Sequence, residues 1–353
     1  MKTIKVMVVD DSSFMRKVVS DLLNSDPEIE VIATARDGLD AWDKLRNLDP
    51  DVILLDVEMP RLDGLALLEK IFEERPRRVV MLSALTQEGS EITMQALDKG
   101  ALDFIPKPSG SISLDIEKKK EEIIAKVKSA SAIPLSQVEK FATQDRGRKK
   151  ISVRKKEGEE CPCLVFVAAS TGGGPRVLHT LVNNLSPLKK SGMLIVQHMP
   201  SGFTKSLAER LNNSAPFPIK EADNKDKLVI NRALLAPGGK HLLVDEKKEV
   251  SLSDDPPVKG LKPCADITLL SAVNVFGGEN ILAVVLTGMG KDTLEGCRVL
   301  KKKGGTVIAQ DESTSLIFGM PRAVIEEGLA DKVLPLQDIP PAILEWDSNR
   351  KKS

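Results

Sequence analysis

Short apolar runs that alternate with helical patterns leave this chain few folds to adopt. Lys5–Val9, Glu30–Ala35, Val52–Leu55, Val79–Leu82 and Phe104-Ile105 read as strands. Helical patterns over Ser12–Leu23, Leu39–Leu48, Leu65–Glu74 and Ile92–Lys99 separate them. Strand and helix alternating five times predict an α/β domain, a parallel sheet with helices on both faces. Ligands of such sheets sit at the carboxyl ends of the strands. The residues expected there are Asp10, Asp11, Asp56, Ser83 and Lys107.

Carboxylates converging without a partner repel one another, so a hard divalent cation is their natural occupant. Magnesium takes oxygen ligands and keeps several waters, which leaves room for a phosphoryl group. Asp56 is then placed to attack phosphorus while the metal and Lys107 neutralise the phosphoryl oxygens. Any one of these acids alone reads as a strand-end or helix cap; the set, with Ser83 and Lys107 at successive strand ends, reads as a phosphoryl site.

These residues resemble the receiver domain of two-component response regulators. The match rests on Val-Asp-Asp at 9–11, Leu-Asp-Val-Glu-Met-Pro at 55–60, Asp63-Gly64, Ser83-Ala84 and Lys107-Pro108. The resemblance implies a flavodoxin-like, five-stranded parallel sheet over residues 1–125, phosphorylation at Asp56, and Mg2+ held by Asp10, Asp11 and Asp56. It also implies that Ser83 and Lys107 sense the phosphoryl group, with Phe104 as a rotamer switch, and that a histidine kinase supplies the phosphoryl group.

A charged helical pattern from Ser113 to about Ala132 reads as the last receiver helix, its charges a solvated face. Beyond it the chain is polar and aperiodic to Glu160, with Arg146-Gly147-Arg148-Lys149-Lys150 in the middle. Residues 126–159 are therefore expected to be a flexible charged linker. Without interleaved aromatics the basic run is a poor nucleic-acid site. Lys+Arg and Asp+Glu both number 51, which argues against a dedicated nucleic-acid binder. The first apolar run is too short for a signal peptide and none approaches a membrane span. The four cysteines, including Cys161-Pro162-Cys163, form neither a disulfide framework nor a zinc spacing. A cytoplasmic protein with no membrane insertion is expected.

The second half turns on Leu164–Pro175. A buried strand there runs into Ser170-Thr171-Gly172-Gly173-Gly174, and Pro175 opens a helix to Leu185. Ser170 thus sits between a strand's end and a helix's unpaired N–H groups, where a nucleophile finds oxyanion donors. A phosphate cradle or a plain tight turn fits the same glycines. Of the three histidines, His179 is carried away from Ser170 along its helix, and His241 reads as a surface-turn residue in a hairpin of Ala233–Leu235 with Leu242–Val244. His198 ends the strand Met193–Gln197, in the layer of Ser170. A third strand, Ile281–Thr287, leads through Gly288-Met289-Gly290-Lys291 to Asp292. Serine, histidine and aspartate at three strand ends of a doubly wound, mostly parallel sheet make a nucleophile, base and orienting acid. Capping of its own helix is the simpler role for Asp292.

The order Ser, His, Asp is not that of the α/β-hydrolases. It resembles the catalytic domain of the chemotaxis protein-glutamate methylesterases, the CheB family. The match rests on Ala-Ser-Thr-Gly-Gly at 169–173, Gln-His-Met-Pro at 197–200, Ala-Pro-Gly-Gly at 236–239, Leu-Thr-Gly-Met-Gly at 286–290 with Asp292, Asp-Glu-Ser-Thr-Ser at 311–315 and Phe-Gly-Met-Pro at 318–321. The resemblance implies a hydrolytic domain over 160–346 followed by a polar tail, 347–353, with Ser170, His198 and Asp292 as the triad. It further implies an oxyanion hole from Met289 N–H with Thr171, methylated chemoreceptors as substrate, deamidation of receptor glutamines as a second reaction, and a receiver that covers the active site until phosphorylated. The family has Gly where Ala168 or Ala169 stands and Gly in place of Thr293, and commonly Ser at Cys264. A Cβ at Thr293 is expected to crowd the loop of Asp292. The competing reading is a phosphorylation-controlled adaptor that binds receptors or partner proteins without catalysis. A DNA-binding regulator is disfavoured by the strand-helix alternation of the second half.

Overall fold

A computed structural model of the chain describes residues 3–84, 86–107, 112–143, 159–170 and 172–350. It divides into two compact units, Met1–Arg146 and Gly147–Ser353.

In the first unit, β1 (Ile4–Val9), α1 (Ser13–Asn24), β2 (Ile29–Ala35), α2 (Gly38–Leu45), β3 (Val52–Asp56), α3 (Gly64–Glu74), β4 (Val79–Ser83), α4 (Gln87–Asp98), β5 (Asp103–Pro106) and α5 (Ile112–Ala132) alternate as expected. All pairings are parallel, in the order β2-β1-β3-β4-β5. Strand β3 is buried along its whole length, as apolar runs covered on both faces must be. The order reverses between β1 and β3, so their carboxyl ends open a crevice at Asp10 and Asp56. Helix starts are set locally: Ser12 accepts from Met15 N–H and Asp63 from Ala66 N–H.

The stretch expected as linker from residue 126 is helical over much of its described length. Helix α5 continues to Ala132, and α6 spans Leu135–Thr143. Lys126 is buried, its ammonium 3.3 Å from Asp103 and 2.5 Å from the Phe104 carbonyl. Val127, Ala130 and Val138 are buried as well. This apolar stripe, diluted by charge, ties the segment to the unit. Residues 144–158, with the basic run, lie outside the described residues.

The second unit contains β6 (Cys163–Ala169), α7 (Gly174–Asn184), β7 (Ser191–Gln197), α8 (Phe203–Ser214), β8 (Ile219–Glu221), β9 (Ala233–Leu235), β10 (His241–Val244), β11 (Val250–Ser253), α9 (Ala265–Phe276), β12 (Ile281–Val285), α10 (Leu294–Lys302), β13 (Thr306–Gln310), α11 (Met320–Glu326), β14 (Lys332–Leu334) and α12 (Ile339–Ser348). Seven strands form one sheet, β14-β13-β12-β6-β7-β9-β8, and every pairing in it is parallel. The expected hairpin of Ala233–Leu235 with Leu242–Val244 does not form. Strand β9 is buried and pairs with β7 in the main sheet, and β10 pairs with β11 instead. All four cysteines are buried free thiols. No helix among the described residues is long and apolar enough to cross a membrane.

Residues 347–350, expected at the edge of a polar tail, are tied to the fold. Asp347 is buried in α12 and accepts from Lys189 N–H at 2.7 Å, Lys190 N–H at 3.2 Å and the Ser191 hydroxyl at 2.7 Å. Arg350 donates to the Glu279 carbonyl at 2.7 Å. Charged residues that fasten a terminal helix look like a tail in sequence because their partners lie far along the chain. Replacing Asp347 with Ala leaves the buried Ser191 hydroxyl and two backbone amides without this acceptor, so the variant should lose about 1–3 kcal/mol of stability in denaturant titration. An unchanged midpoint would return Asp347 to the tail.

Candidate functional site

Each unit brings polar residues together at strand ends. In the first, Asp10 and Asp56 are buried and Asp11 is exposed. One carboxylate oxygen from each lies within 4.8 Å of the others. Lys107 bridges the buried pair, 2.6 Å from Asp56 Oδ2 and 3.0 Å from Asp10 Oδ2. Burial pushes the Asp56 carboxyl up to about 6, against the opposing pull of Lys107. Gly64 allows this packing: a Cβ there would lie 1.9 Å from the Asp56 carbonyl oxygen. Three hard oxygen donors around an open corner fit a magnesium ion, which prefers oxygen ligands and keeps part of its water shell.

Ser83, at the end of β4, is buried. Its hydroxyl contacts Thr93 Oγ1 at 2.7 Å and the Gly89 carbonyl at 3.2 Å, so α4 holds it. Phe104 is buried in β5 with the Lys126 ammonium 5.2 Å from its ring centroid.

In the second unit, the register does most of the placing. Ala169 pairs with Gln197 on neighbouring parallel strands, so Ser170 and His198 follow one another's partners directly. The backbone locks them there: His198 N–H donates to the Ala169 carbonyl at 3.1 Å and Ser170 N–H to the Thr287 carbonyl at 3.1 Å. A Cβ on Gly288 would fall 2.6 Å from Ser170 Cβ, so only glycine lets the loop after β12 pass this close. Met289, half-buried, is the next residue of that loop. Thr171 lies outside the described residues. Ser170, His198 and Asp292 are all buried.

His198 Nε2 is 2.7 Å from Asp292 Oδ2. The carboxylate also accepts Ala265 N–H at 2.6 Å, Asp266 N–H at 2.9 Å and Thr293 N–H at 3.0 Å. Burial opposes its ionisation, but the His198 bond and these amides win and hold its carboxyl well below the ordinary carboxylate range. An ionised acceptor makes Nε2 the protonated nitrogen, so in the neutral ring Nδ1 carries the lone pair. Nδ1 is buried and has no hydrogen-bond partner among the described residues. Asp292 does cap a helix, but not its own: the two amides belong to α9, and α10 begins without a side-chain cap.

The other two histidines divide differently from expectation. His179 stays in α7, half-buried. His241 is fully buried, not a surface residue: its Nδ1 accepts Cys264 N–H at 3.3 Å and its Nε2 lies 3.2 Å from the Pro256 carbonyl. Sequence reasoning gave His241 no role and passed over Asp266. The only signal was an apolar Leu-Leu-Val directly after His241, which puts the histidine on a strand.

Thr293 carries backbone strain beside Asp292. Its φ is +87°, a region that costs a β-branched residue about 1–2 kcal/mol, and its hydroxyl is buried with no partner among the described residues. Thr293→Gly should therefore stabilise the protein by about 1 kcal/mol once the chain-entropy cost of glycine is subtracted. A lowered melting temperature would show that the methyl packing outweighs the strain.

Asp266 supplies a pH test. Burial, with Asp292 adding like charge, pushes its carboxyl up to about 6. A raised carboxyl pKa means that ionising it in the folded state costs stability, a cost that grows from about pH 4 and is complete above the folded pKa. Asp266→Asn, whose amide oxygen still accepts Gly296 N–H at the 2.8 Å contact, should raise the melting temperature more at pH 8 than at pH 5. An equal change at both values would remove Asp266 as the titrating group.

Comparison with known proteins agrees with this division. Residues 165–343 match the CheB methylesterase family and residues 6–116 the response regulator receiver domain. A protein-glutamate methylesterase/protein-glutamine glutaminase from Pyrococcus horikoshii is 45% identical over 349 residues, 98% of this chain and 94% of that protein. A protein of the same name from Symbiobacterium thermophilum is 45% identical over 97% of this chain and 96% of its own length. The crystal structure of the Thermotoga maritima CheB methylesterase catalytic domain aligns with a TM-score of 0.50 at 40% identity, covering 52% of this chain and 97% of that one. With a receiver in front, a methylesterase fold behind and full-length relatives of the same arrangement, the chain belongs to the CheB family of protein-glutamate methylesterases.

Proposed function

We propose that the protein hydrolyses glutamate γ-methyl esters on chemoreceptors, releasing methanol, under control of phosphorylation at Asp56, and that it also deamidates receptor glutamines. The reading rests chiefly on one observation: beside Ser170, His198 is held through Nε2 by Asp292, and its Nδ1 has no hydrogen-bond partner among the described residues.

In this reading Ser170 Oγ attacks the ester carbonyl carbon as Nδ1 of His198 takes its proton. The imidazolium keeps Nε2–H on Asp292, whose low pKa leaves its charge in place to stabilise it. The Met289 N–H, with Thr171, receives the developing oxyanion. Collapse breaks the C–O bond, and His198 returns the proton to the leaving methoxide, giving methanol and a glutamyl-Ser170 ester. Water, deprotonated by the same nitrogen, then releases glutamate and restores the serine. With glutamine the leaving group is ammonia and the acyl-enzyme is the same.

Residues 1–125 form the phosphorylation switch and residues 160–346 the hydrolase. Asp10, Asp11 and Asp56 would hold Mg2+, which supplies positive charge to phosphoryl oxygens during transfer. Asp56 offers the attacking oxygen. Lys107, already 2.6 Å from it, stays as its counter-ion, and Ser83 must leave Thr93 to meet the phosphoryl group. A chemotaxis histidine kinase is the phosphoryl donor, and the cytoplasm, where receptors present their methylated helices, is the site of action.

Methanol release from methylated receptor membranes tests the whole scheme, with and without a small-molecule phosphoryl donor and Mg2+. Ser170→Ala should lower turnover by at least about 10³-fold. Asp56→Asn should keep basal turnover and lose its rise with the donor. Activity that survives in Ser170→Ala would remove the serine from the chemistry.

A further inference from the structure

The buried carboxylate of Asp292 needs more than His198 to stay where it is. Its two remaining fixed points, apart from the neighbouring Thr293 amide, come from the start of α9. Cys264 occupies the N-cap of that helix with extended backbone, φ −112° and ψ 125°. A serine, threonine or aspartate at such a position normally turns its side chain onto the helix's own N–H groups. Cys264 makes no such bond. Its sulfur points to Asp292 Oδ1 at 3.3 Å, and Asp292 takes over the two orphan amides of Ala265 and Asp266. Helix cap and orienting acid are thus a single group, so any shift in the start of α9 moves the oxygen that His198 contacts.

The start of α9 is fixed in turn by His241. The Cys264 N–H donates to Nδ1 of His241 at 3.3 Å, and the other ring nitrogen reaches the Pro256 carbonyl at 3.2 Å. A carbonyl accepts only, so Nε2 carries the proton and Nδ1 the lone pair. Burial and the charge of Asp292 push the Cys264 thiol up to about 12, so the sulfur meets Asp292 as a neutral S–H donor. The Thr268 hydroxyl donates to the Leu242 carbonyl at 2.7 Å, which clamps α9 to β10, the strand that His241 begins.

We infer that His241 and Cys264 are positioning residues for Asp292: His241 sets the α9 N-terminus through the Cys264 amide, and that N-terminus, with the Cys264 thiol, aims the carboxylate at His198. This rests on reading Ser170, His198 and Asp292 as the hydrolytic residues. Neither His241 nor Cys264 touches the reacting atoms in this assignment. Their loss therefore reaches the reaction only through the His198–Asp292 bond, and substrate binding is untouched.

The test compares four variants of the full chain: His241→Leu, His241→Asn, Cys264→Ala and Cys264→Ser. Two readouts are taken, kcat and KM for methanol release from methylated receptor membranes, and the strongly deshielded proton that a His198–Asp292 bond gives in the NMR spectrum. His241→Leu should lower kcat by about tenfold or more with KM unchanged and shift or broaden the deshielded proton. His241→Asn keeps an acceptor for the Cys264 amide and should recover most of the loss. Cys264→Ala should lower kcat by a few-fold, and Cys264→Ser, a stronger donor, should match or exceed the starting protein. Wild-type kcat and an unmoved proton in both His241→Leu and Cys264→Ala would overturn the inference, as would a fall in kcat matched by a rise in KM. Where His241→Leu does not fold, the Cys264 pair decides alone. The NMR signal does not depend on turnover, so an inactive wild type with Ser170→Ala indistinguishable from it would remove the hydrolase reading, and the proton would still settle the positioning.

Discussion

Everything chemical in the second unit depends on parallel strands held in register by their burial. Strands β6, β7 and β12 are covered on both faces, and each residue from Ile281 to Val285 is buried between neighbours. A strand slipped by one residue would exchange the two faces of a fully apolar ribbon and move its end by about 3.3 Å. That register makes Ser170 and His198 neighbours and carries the loop after β12 against Ser170. The contact is so close that Gly288 admits no side chain. The first unit uses the same device on a smaller sheet, with Asp10 and Asp56 at the ends of adjacent strands.

The second constraint is electrostatic, and the two units resolve it differently. In the first, two buried carboxylates share a lysine and a third stays in solvent, an arrangement short of positive charge that suits a cation. In the second, the buried carboxylate of Asp292 is held by a hydrogen bond from a histidine and by amides at a helix start, a form of charge stabilisation that needs no ion. In the proposed function, the first site stays open to the charge of a phosphoryl group, and the second, which would retain a base through a catalytic cycle, is already satisfied.

One strained residue sits at this second site. Thr293, with positive φ and a buried hydroxyl that has no partner among the described residues, turns its N–H onto Asp292. The α9 helix similarly gives its first amides to a residue 27 positions further along the chain instead of to a local cap. Both features exchange local stability for the orientation of one carboxylate.

The sequence by itself determined the fold class, the order of most strands and helices, and the identity of the residues at strand ends. Periodicity and the turn chemistry at Asp10-Asp11, Ser170 and Asp292 are local properties that need no partner. Local patterns failed where partners are remote. Residues 126–143 looked like a linker because their few apolar positions are spaced among charges, and only packing against the receiver sheet reveals which of them are buried. Asp347 looked like a tail because the amides it binds are more than one hundred and fifty residues away. His241 looked like a turn residue because a glycine pair precedes it. Which helix Asp292 caps, which nitrogen of His198 is bare, and what stands behind the carboxylate were decided only by the tertiary structure. Hydrogen bonds between distant segments carry those properties, and such bonds leave no period in the sequence.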